Sequence, residues 1–263
     1  MIRTPRWLLS RDDVELDMDT DDTIKPTTTY IGKWMKTRVV ATCTDMNWIE
    51  FERRVSRWYS FSHPHVVVLY GALRIDASLL FVHEYSSKRT MVEFSHDKKN
   101  RENNLRPIWA KLHEASLGLQ YLHQRNTVHG DLQLRSLTIG SDFKVKVGGF
   151  DQCRSLSHNS DHFFSEYVAF PGTQSESFAS DIYAFGICVL DALTVENSES
   201  GLVNNFLSNR IPVRSENLQD AHWDLIEKMC DSDPTKRVNI AYVVNQLERF
   251  ADGQYSNGKG SSM

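Results

Sequence analysis

The chemistry of cysteine depends on spacing, because metal sites and redox-active sites both need cysteines close together in the sequence. This chain has four cysteines that are far apart and form no Cys-x-x-Cys pair: Cys43, Cys153, Cys188 and Cys230. The spacing disfavours a zinc site. It predicts buried, reduced thiols in an intracellular protein, with a disulfide as the open alternative.

The balance of charge gives no indication of a nucleic-acid or membrane partner. Thirty basic and 34 acidic side chains leave a net charge of −4, and neither sign forms a long block. The longest apolar run, at residues 182–190, ends at Asp191 and is far shorter than the ~20 residues of a membrane span. We therefore expect a soluble protein of the cytoplasm, with the nucleus as an alternative, and neither nucleic acid nor membrane as a partner.

The first third of the chain predicts a small sheet with a single helix. Residues 1–23 predict a short strand at residues 7–9 and then a loose acidic segment. Four β-branched or aromatic runs follow, separated by polar residues: TTTYIGKW, TRVVATC, HVVVLYGALR and SLLFVHEY. Between the second and third runs, WIEFERRVSRWYSF predicts a helix.

The remainder of the chain predicts mainly helices. Behind Pro107, which suits a first helical turn, apolar residues recur at helical spacing: Ile108, Leu112, Ala115, Leu119 and Leu122. FKVKVGGF alternates apolar residues with lysines, which predicts a strand. Three later segments predict helices: DIYAFGICVLDALT, DAHWDLIEKMC and NIAYVVNQLERFA. The Gly- and Ser-rich tail predicts disorder.

Three motifs in a fixed order carry a resemblance to a known family. HGDL at 129–132 follows the segment YLHQRNTV, Phe150 comes 21 residues after His129, and Asp181 comes 50 residues after Asp131 in SDIYAFG. Their order and spacing resemble the protein-kinase signature set, and the match extends over about residues 12–250. The phrases YIGKW, HGDL and WDLIEKMC are most similar to the tyrosine-kinase-like branch of that superfamily.

The resemblance implies an α+β protein with the two-lobed kinase fold, in which a small, mostly β N-lobe with one helix precedes a larger, mostly α C-lobe. It divides the chain into an N-terminal extension (1–23), an N-lobe (24–85), a C-lobe (86–250) and a flexible tail (251–263). It also implies one stack of packed core side chains, anchored by Asp181: Leu69, Trp58, Phe150 and His129.

The resemblance further implies that the residues for handling phosphate have been replaced. The family's Gly-rich loop maps to residues 22–27, where three glycines are replaced by Asp22, Ile24 and Thr27. Thr42 stands in place of the phosphate-binding lysine, and Arg54 in place of the glutamate that pairs with this lysine. Both halves of that ion pair are therefore lost.

The positions that hold magnesium in the family are replaced as well. Ser136 stands in place of the catalytic-loop asparagine, and Gly149 in place of the metal-binding aspartate. Asp151 is displaced by two residues, about 6–7 Å of extended chain, and cannot reach that position unless the loop is rebuilt. The residues that sandwich adenine map to Thr29, Val40 and Thr138, and Val40 is bulkier than the usual alanine. We expect no metal site and no cofactor.

One catalytic side chain of the family is retained. Asp131 matches the catalytic base that accepts a proton from the substrate hydroxyl. It could support residual catalysis, or it could be kept for hydrogen bonds within its loop, and we favour the second interpretation. We also hypothesise that Arg54 and Asp151 form an ion pair in place of the lost lysine–glutamate pair.

Three functions remain after these replacements. The first is a catalytically impaired kinase domain, a pseudokinase, that binds another signalling protein such as an active kinase. The alternative is an unorthodox, weakly active serine/threonine-type protein kinase in which Lys25 or Lys33 reaches a phosphate of ATP bound with Mg²⁺. A nucleotide-binding but inactive switch is a further alternative.

Overall fold

The computed structural model describes residues 5–17, 24, 28–86, 89–101, 105–150, 154–155, 177–194, 214 and 218–254. The chain divides into two compact units, Met1–Ser87 and Lys88–Met263. No helix in these described ranges is long and apolar enough to cross a membrane. The predictions that fall on residues 18–23, on Asp151 and on residues 255–263 lie outside the described residues. Ala251 and Asp252, which were assigned to the flexible tail, instead form the end of the last helix.

The first unit contains a five-stranded antiparallel sheet and one α-helix. Its elements are β1 (Val14–Leu16), β2 (Thr29–Trp34), β3 (Thr37–Thr44), α1 (Trp48–Tyr59), β4 (Leu69–Ile75) and β5 (Ser78–Glu84). The strand order is β1-β2-β3-β5-β4. This arrangement confirms the small sheet with a single helix that the sequence predicts.

The N-terminal segment contacts both edges of this sheet. Leu8 forms a parallel bridge with Ala72 of β4, where the Leu9 amide donates to the Ala72 carbonyl at 2.9 Å. A Cβ at Gly71 would lie 2.4 Å from the Trp7 carbonyl oxygen, so the close approach requires glycine there. Farther along, β1 pairs with β2 at the opposite edge.

Two expectations for this segment were wrong. Residues 7–9 form a single bridge rather than a strand, and the acidic stretch expected to be loose contains β1. The reason is that Val14 is buried in the core of the unit, at 1% exposure, although its flanking residues are acidic. A single buried side chain and pairing with β2 outweigh the local polarity.

Helix α1 packs on one face of the sheet through aromatic rings. Asn47 caps the helix by accepting a hydrogen bond from the Glu50 amide at 3.0 Å. Its buried stripe places the rings of Phe51 and Trp58 at 4.8 and 5.7 Å from the ring of Phe81 on β5. The other face of the sheet forms an aliphatic core: Val14, Val39, Ala41, Cys43, Leu73, Leu80 and Val82.

The second unit is mostly helical. Its helices are α2 (Met91–His96), α3 (Arg106–Gln124), α4 (Phe178–Leu193), α5 (Asp220–Met229) and α6 (Ile240–Asp252). Its short strands are β6 (Arg89–Thr90), β7 (Thr127–Val128), β8 (Leu137–Ile139), β9 (Val145–Val147) and β10 (Arg154–Ser155). They form two small sheets, ordered β6-β8-β9 and β10-β7.

Helix α3 confirms the predicted buried helix. Proline stands in its first turn, and the five apolar residues predicted from the spacing are all buried at 0–1% exposure. Trp109 of α3 lies 4.6 Å from the ring of His222 on α5 and 4.9 Å from that of Phe250 on α6. These three helices are therefore joined by one aromatic cluster.

Two predicted strands begin later than expected. β4 starts at Leu69 rather than at residue 65. The Val67 carbonyl oxygen accepts a hydrogen bond from the Trp58 indole at 2.8 Å and is therefore not used for pairing with a neighbouring strand. β9 is limited to Val145–Val147. Phe143, predicted inside that strand, has φ 60° and is 63% exposed in the preceding turn.

The thiols that the structure describes are buried and reduced. Cys43, Cys188 and Cys230 are free cysteines, whereas Cys153 lies outside the described residues. Burial raises the pKa of Cys230 to about 12, so this thiol is almost wholly protonated at neutral pH. These three residues behave as small apolar core side chains.

Candidate functional site

The predicted site residues fall in both units, and those of the first unit centre on Thr42. Thr42 lies directly opposite Phe81 in the β3–β5 pair, and Val40 lies opposite His83. The four side chains therefore share the face of the sheet on which α1 packs, where the ring of Trp58 lies 5.2 Å from that of His83.

The hydroxyl of Thr42 is hydrogen-bonded within the unit. Its Oγ1 lies 3.2 Å from Nε2 of His83, and Nδ1 of the same ring lies 3.2 Å from the Glu84 carbonyl oxygen. A carbonyl can only accept, so Nδ1 carries the proton and Nε2 accepts from the Thr42 hydroxyl. The side chain that the resemblance aligns with the family's lysine is thus neutral and already has a partner.

His83 is uncharged in this arrangement. Burial lowers its pKa to about 4, and the hydrogen bond to the Glu84 carbonyl offsets only part of that effect. At neutral pH the Thr42–His83 pair therefore provides no positive charge for a phosphate.

Arg54 pairs with a carboxylate on its own helix. Its Nε lies 2.7 Å from Glu50 Oε1, and its side chain is only 10% exposed. The Nη1 atom is buried and has no hydrogen-bond partner among the described residues. Asp151, the partner hypothesised for Arg54, lies outside those residues, and that ion pair stays a prediction.

The Gly-rich-loop positions are described only in part. Ile24 packs against the aliphatic core of the first unit, which places an apolar side chain where the resemblance has a glycine. Asp22 and Thr27 lie outside the described residues, as does Lys25. Thr29 begins β2 directly opposite Thr42 and is exposed.

Lys33 lies far from Thr42 along the sheet, and its contact with a phosphate stays a prediction. It is exposed near the end of β2, where it lies opposite Arg38, whereas Thr42 lies opposite Thr29. The two pairs are four residues apart along the strand, a distance of about 13 Å. Lys33 is therefore a surface cation remote from the position of Thr42.

In the second unit, Asp181 organises the catalytic loop. Its Oδ2 accepts from the His129 amide at 2.8 Å, and its Oδ1 accepts from the Gly130 amide at 3.0 Å. His123 Nε2 lies 2.9 Å from the same Oδ2. Asp181 is fully buried, and these contacts satisfy its charge. The anchoring role implied for Asp181 agrees with this geometry.

His129 in turn fixes the loop on which Asp131 lies. Its Nε2 donates to the Gly148 carbonyl at 2.7 Å, which leaves Nδ1 free of a proton to accept from the Asp131 amide at 3.3 Å. The Asp131 carboxylate accepts from Gln133 Nε2 at 2.6 Å. A carboxylate held by its own loop agrees with the structural interpretation of Asp131 without excluding catalysis.

The two positions implied for magnesium lie side by side. Gly149 has φ +78°, and a Cβ built there would lie 3.1 Å from Ser136 Oγ. The Gly148 amide donates to the Ser136 carbonyl at 2.9 Å, which fixes this approach. Together the pair offers one hydroxyl and no carboxylate, whereas Mg²⁺ prefers charged oxygen ligands.

The packed stack is supported separately within each unit. Trp58 and Leu69 are buried in the first unit, at 5% and 4% exposure. In the second, His129 and Phe150 are buried with their rings 5.4 Å apart. Whether the two pairs form one stack stays a prediction.

Thr138 of β8, predicted near adenine, pairs with Lys146 of β9, which is only 8% exposed.

The hydrogen-bond partners of Thr42 and Asp131 were not predicted from the sequence. His83 hydrogen-bonds to Thr42, and Gln133 hydrogen-bonds to Asp131. The sequence does indicate that His83 belongs to this face of the sheet, because His83 lies two residues from Phe81 and therefore points to the same face of β5 as that ring. Gln133 follows Asp131 by two residues, a spacing at which loop side chains commonly meet.

A family model agrees with this combination of fold and loop geometry. The model described as protein tyrosine and serine/threonine kinase matches residues 33–247, which is most of the chain. The chain therefore belongs to the protein kinase family.

Individual relatives are distant and cover most of the chain. It is 26% identical over 212 residues to a probable serine/threonine-protein kinase of Dictyostelium discoideum, with 76% of the chain and 20% of the relative covered. It is 27% identical over 215 residues to the serine/threonine-protein kinase CTR1 of Arabidopsis thaliana, covering 75% of the chain and 26% of that protein.

A tyrosine kinase is among the relatives too. The chain is 22% identical over 250 residues to the tyrosine-protein kinase Src64B of Drosophila melanogaster, covering 84% of the chain and 44% of that protein. The chain thus spans between a fifth and less than half of the length of these three relatives.

Proposed function

We propose that this chain is a pseudokinase that acts by binding another signalling protein, such as an active kinase, and that it needs neither nucleotide nor metal. The observation that carries the proposal is the Thr42–His83 hydrogen bond, with its atoms 3.2 Å apart. The position that supplies a cation to the phosphates in the family is neutral here and already hydrogen-bonded. Phosphoryl transfer depends mainly on such charges, so their loss removes most of the catalytic effect.

The catalytic loop supports the same proposal. Ser136 and Gly149 provide one hydroxyl where the family provides an amide and a carboxylate, so the charge that would hold magnesium is missing. Removing one preorganised electrostatic donor typically costs about 10² to 10³ in rate, although such losses do not add. The expected rate is well below about 1 s⁻¹, the low end for protein kinases.

The proposed type of partner rests on the overall charge of the chain. A net charge of −4 with no long block of either sign favours a protein partner over nucleic acid or an anionic membrane. We place this binding function in the cytoplasm, with the nucleus as an alternative.

Thermal unfolding with and without millimolar ATP and Mg²⁺ tests the proposal. A ligand at 100 times its dissociation constant stabilises the folded state by about 2.7 kcal/mol, which corresponds to a rise of about 5–10 °C in a domain of this size. We expect no rise. A reproducible increase of several degrees, together with saturable binding of a fluorescent ATP analogue, contradicts a pocket that takes no nucleotide.

The alternative of an unorthodox kinase is favoured by one observation, the retained Asp131, and by relatives that are named as kinases. A phosphotransfer assay of the wild type against Asp131→Asn separates it from the proposal. Activity that falls at least about 100-fold in a folded Asp131→Asn protein is intrinsic and supports the alternative. Activity that is equal in both proteins comes from a contaminating kinase.

A further inference from the structure

Three consecutive residues of the N-terminal segment, Trp7, Leu8 and Leu9, lie along the edge of β4, and we call them the strap. Among the described residues, two backbone hydrogen bonds attach the strap to β4, and both involve Ala72. The Leu9 amide donates to the Ala72 carbonyl at 2.9 Å, and the Ala72 amide donates to the Trp7 carbonyl at 2.7 Å. The Leu9 side chain also packs against the aliphatic core. A segment attached at one residue opens locally at a lower cost than the interior of a sheet.

The side chain of Trp7 reaches from the edge of β4 to the first turn of α1. It is buried, at 6% exposure, and its ring lies 6.2 Å from the ring of Trp48, the first residue of α1. The ring of Trp48 lies 5.9 Å from that of Phe51, which lies 4.8 Å from that of Phe81 on β5. Ring separations of this size are typical of interacting aromatic pairs. The strap therefore contacts the first turn of α1 at one end of a continuous row of aromatic rings.

The two ends of α1 are attached to the first unit in different ways. In the last turn, the buried Trp58 indole donates to the Val67 carbonyl at 2.8 Å, in the loop that precedes β4. In the first turn, Trp48 is 39% exposed, and its ring contacts are with Trp7 and Phe51. The last turn is thus fixed by a buried hydrogen bond, whereas the first turn rests partly on the strap. The first turn is therefore the end of α1 that moves more easily.

We propose that the strap is a conformational device that sets the position of the first turn of α1. When the strap leaves the edge of β4, this turn moves away from the sheet while the last turn stays in place. The proposal does not depend on whether the chain is a pseudokinase, because no residue of the strap belongs to the nucleotide or catalytic positions. The aromatic row nevertheless ends at Phe81, which lies directly opposite Thr42 in the β3–β5 pair.

Gly71→Ala tests the proposal by displacing the strap from the side of β4. A Cβ at Gly71 would lie 2.4 Å from the Trp7 carbonyl oxygen and 2.7 Å from Leu9 Cγ, and its three closest atoms all belong to the strap. Because atoms in a packed structure do not approach so closely, the strap must shift. Native-state hydrogen exchange of the full chain measures the result. We expect amides 51–54 to exchange at least about tenfold faster, with less than about a twofold change in the last turn of α1 and in β5.

Trp7→Ala releases the first turn by a different route, because it removes the ring contact with Trp48 and keeps Gly71. We expect the same amides to exchange faster by a similar factor, and Trp7→Phe, which keeps an aromatic ring, to restore most of the protection. The double variant Gly71→Ala, Trp7→Ala should exchange no faster than the faster single variant, because the strap can be released only once. Circular dichroism checks that each variant remains folded.

Trp34→Ala is the matched control in the same unit. Trp34 stacks on Tyr70 at 5.3 Å and packs against the aliphatic core on the other face of the sheet, so its loss should not act selectively on the first turn of α1. The proposal is overturned if Trp34→Ala and Trp7→Ala accelerate exchange of the first turn equally, or if Gly71→Ala leaves that exchange unchanged. Uniform acceleration throughout the first unit in Gly71→Ala also overturns it, because the strap would then open only with the whole unit.

Discussion

The hydroxyl of Thr42 and the imidazole of His83 form one hydrogen bond across the β3–β5 pair, at 3.2 Å. The bond joins two positions that are 41 residues apart in the sequence. It satisfies both side chains in the absence of any ligand, and it leaves His83 as the neutral tautomer with its proton on Nδ1. The side chain that the resemblance aligns with the family's lysine is therefore already hydrogen-bonded within the first unit.

Removing this hydrogen bond while keeping the volume of the side chain at residue 42 should lower the stability of the protein. Thr42→Val keeps the shape of the side chain but removes the donor to His83 Nε2, which leaves a buried acceptor unsatisfied. We expect a loss of about 1–2 kcal/mol in the free energy of unfolding, measured with urea. Thr42→Ser keeps the hydroxyl and is the control, with a smaller loss. Equal losses in the two variants would contradict a stabilising role for the hydrogen bond.

The sequence predicted the helices better than the short strands. In α3, repeated apolar residues and Pro107 defined the element locally, and the structure places the helix there. β1 is only three residues long and lies in an acidic stretch, so its pairing with β2 decides its structure. Phe143 appeared to extend β9, but its positive φ belongs to a turn that no alternation of residues can indicate.

Motif spacing located the site residues, whereas their partners required the fold. Thr42, Ser136 and Gly149 were identified by their distance from motifs, and the structure places Ser136 beside Gly149. The partner of Thr42 could not be identified in the same way, because His83 approaches it only through the pairing of β3 with β5. Long-range pairing of this kind has no local signal in the sequence.

His222 should make stability depend on pH. Its ring is 3% exposed between Trp109 and Phe250, and burial lowers its pKa to about 4. In the unfolded chain a histidine titrates near 6.5, so between about pH 6.5 and 4 the unfolded state binds more protons. The stabilisation that the neutral His222 ring contributes is therefore complete above about pH 6.5, and it is lost as the pH falls from about 6.5 to about 4.

Urea unfolding of the wild type and of His222→Leu at several pH values measures this dependence. We expect the stability of the wild type, relative to the variant, to fall by about 2 kcal/mol between pH 7.5 and pH 5. Burial raises the pKa of Asp191 to about 6, which acts in the opposite direction but is common to both proteins and cancels in the difference. A difference that is constant with pH would show that the pKa of His222 is the same in the folded and unfolded states.

Arg53 and Arg54 allow the cost of a buried cation to be measured, because both pair with Glu50 in different environments. Arg54 is 10% exposed and contacts Glu50 Oε1 at 2.7 Å, whereas Arg53 is 44% exposed and contacts Oε2 at 2.9 Å. One nitrogen of Arg54 is also buried without a hydrogen-bond partner among the described residues. Replacing a buried ion pair by apolar side chains of similar volume is often neutral or stabilising, whereas removing one partner is costly when the other stays buried and unpaired. Here Glu50 is 27% exposed and keeps Arg53 as its partner when Arg54 is removed.

We therefore expect Arg54→Met to leave the free energy of unfolding unchanged or to raise it by about 1–2 kcal/mol. Arg53→Met is the matched control and should change stability by less than about 0.5 kcal/mol, because its ion pair is exposed. Glu50→Gln should destabilise the wild type more than it destabilises Arg54→Met, and a double-mutant cycle gives that coupling. If Arg54→Met instead destabilises by more than about 2 kcal/mol, the prediction is wrong, and a second cycle that combines Arg54→Met with Asp151→Asn measures whether Asp151 contributes to the loss.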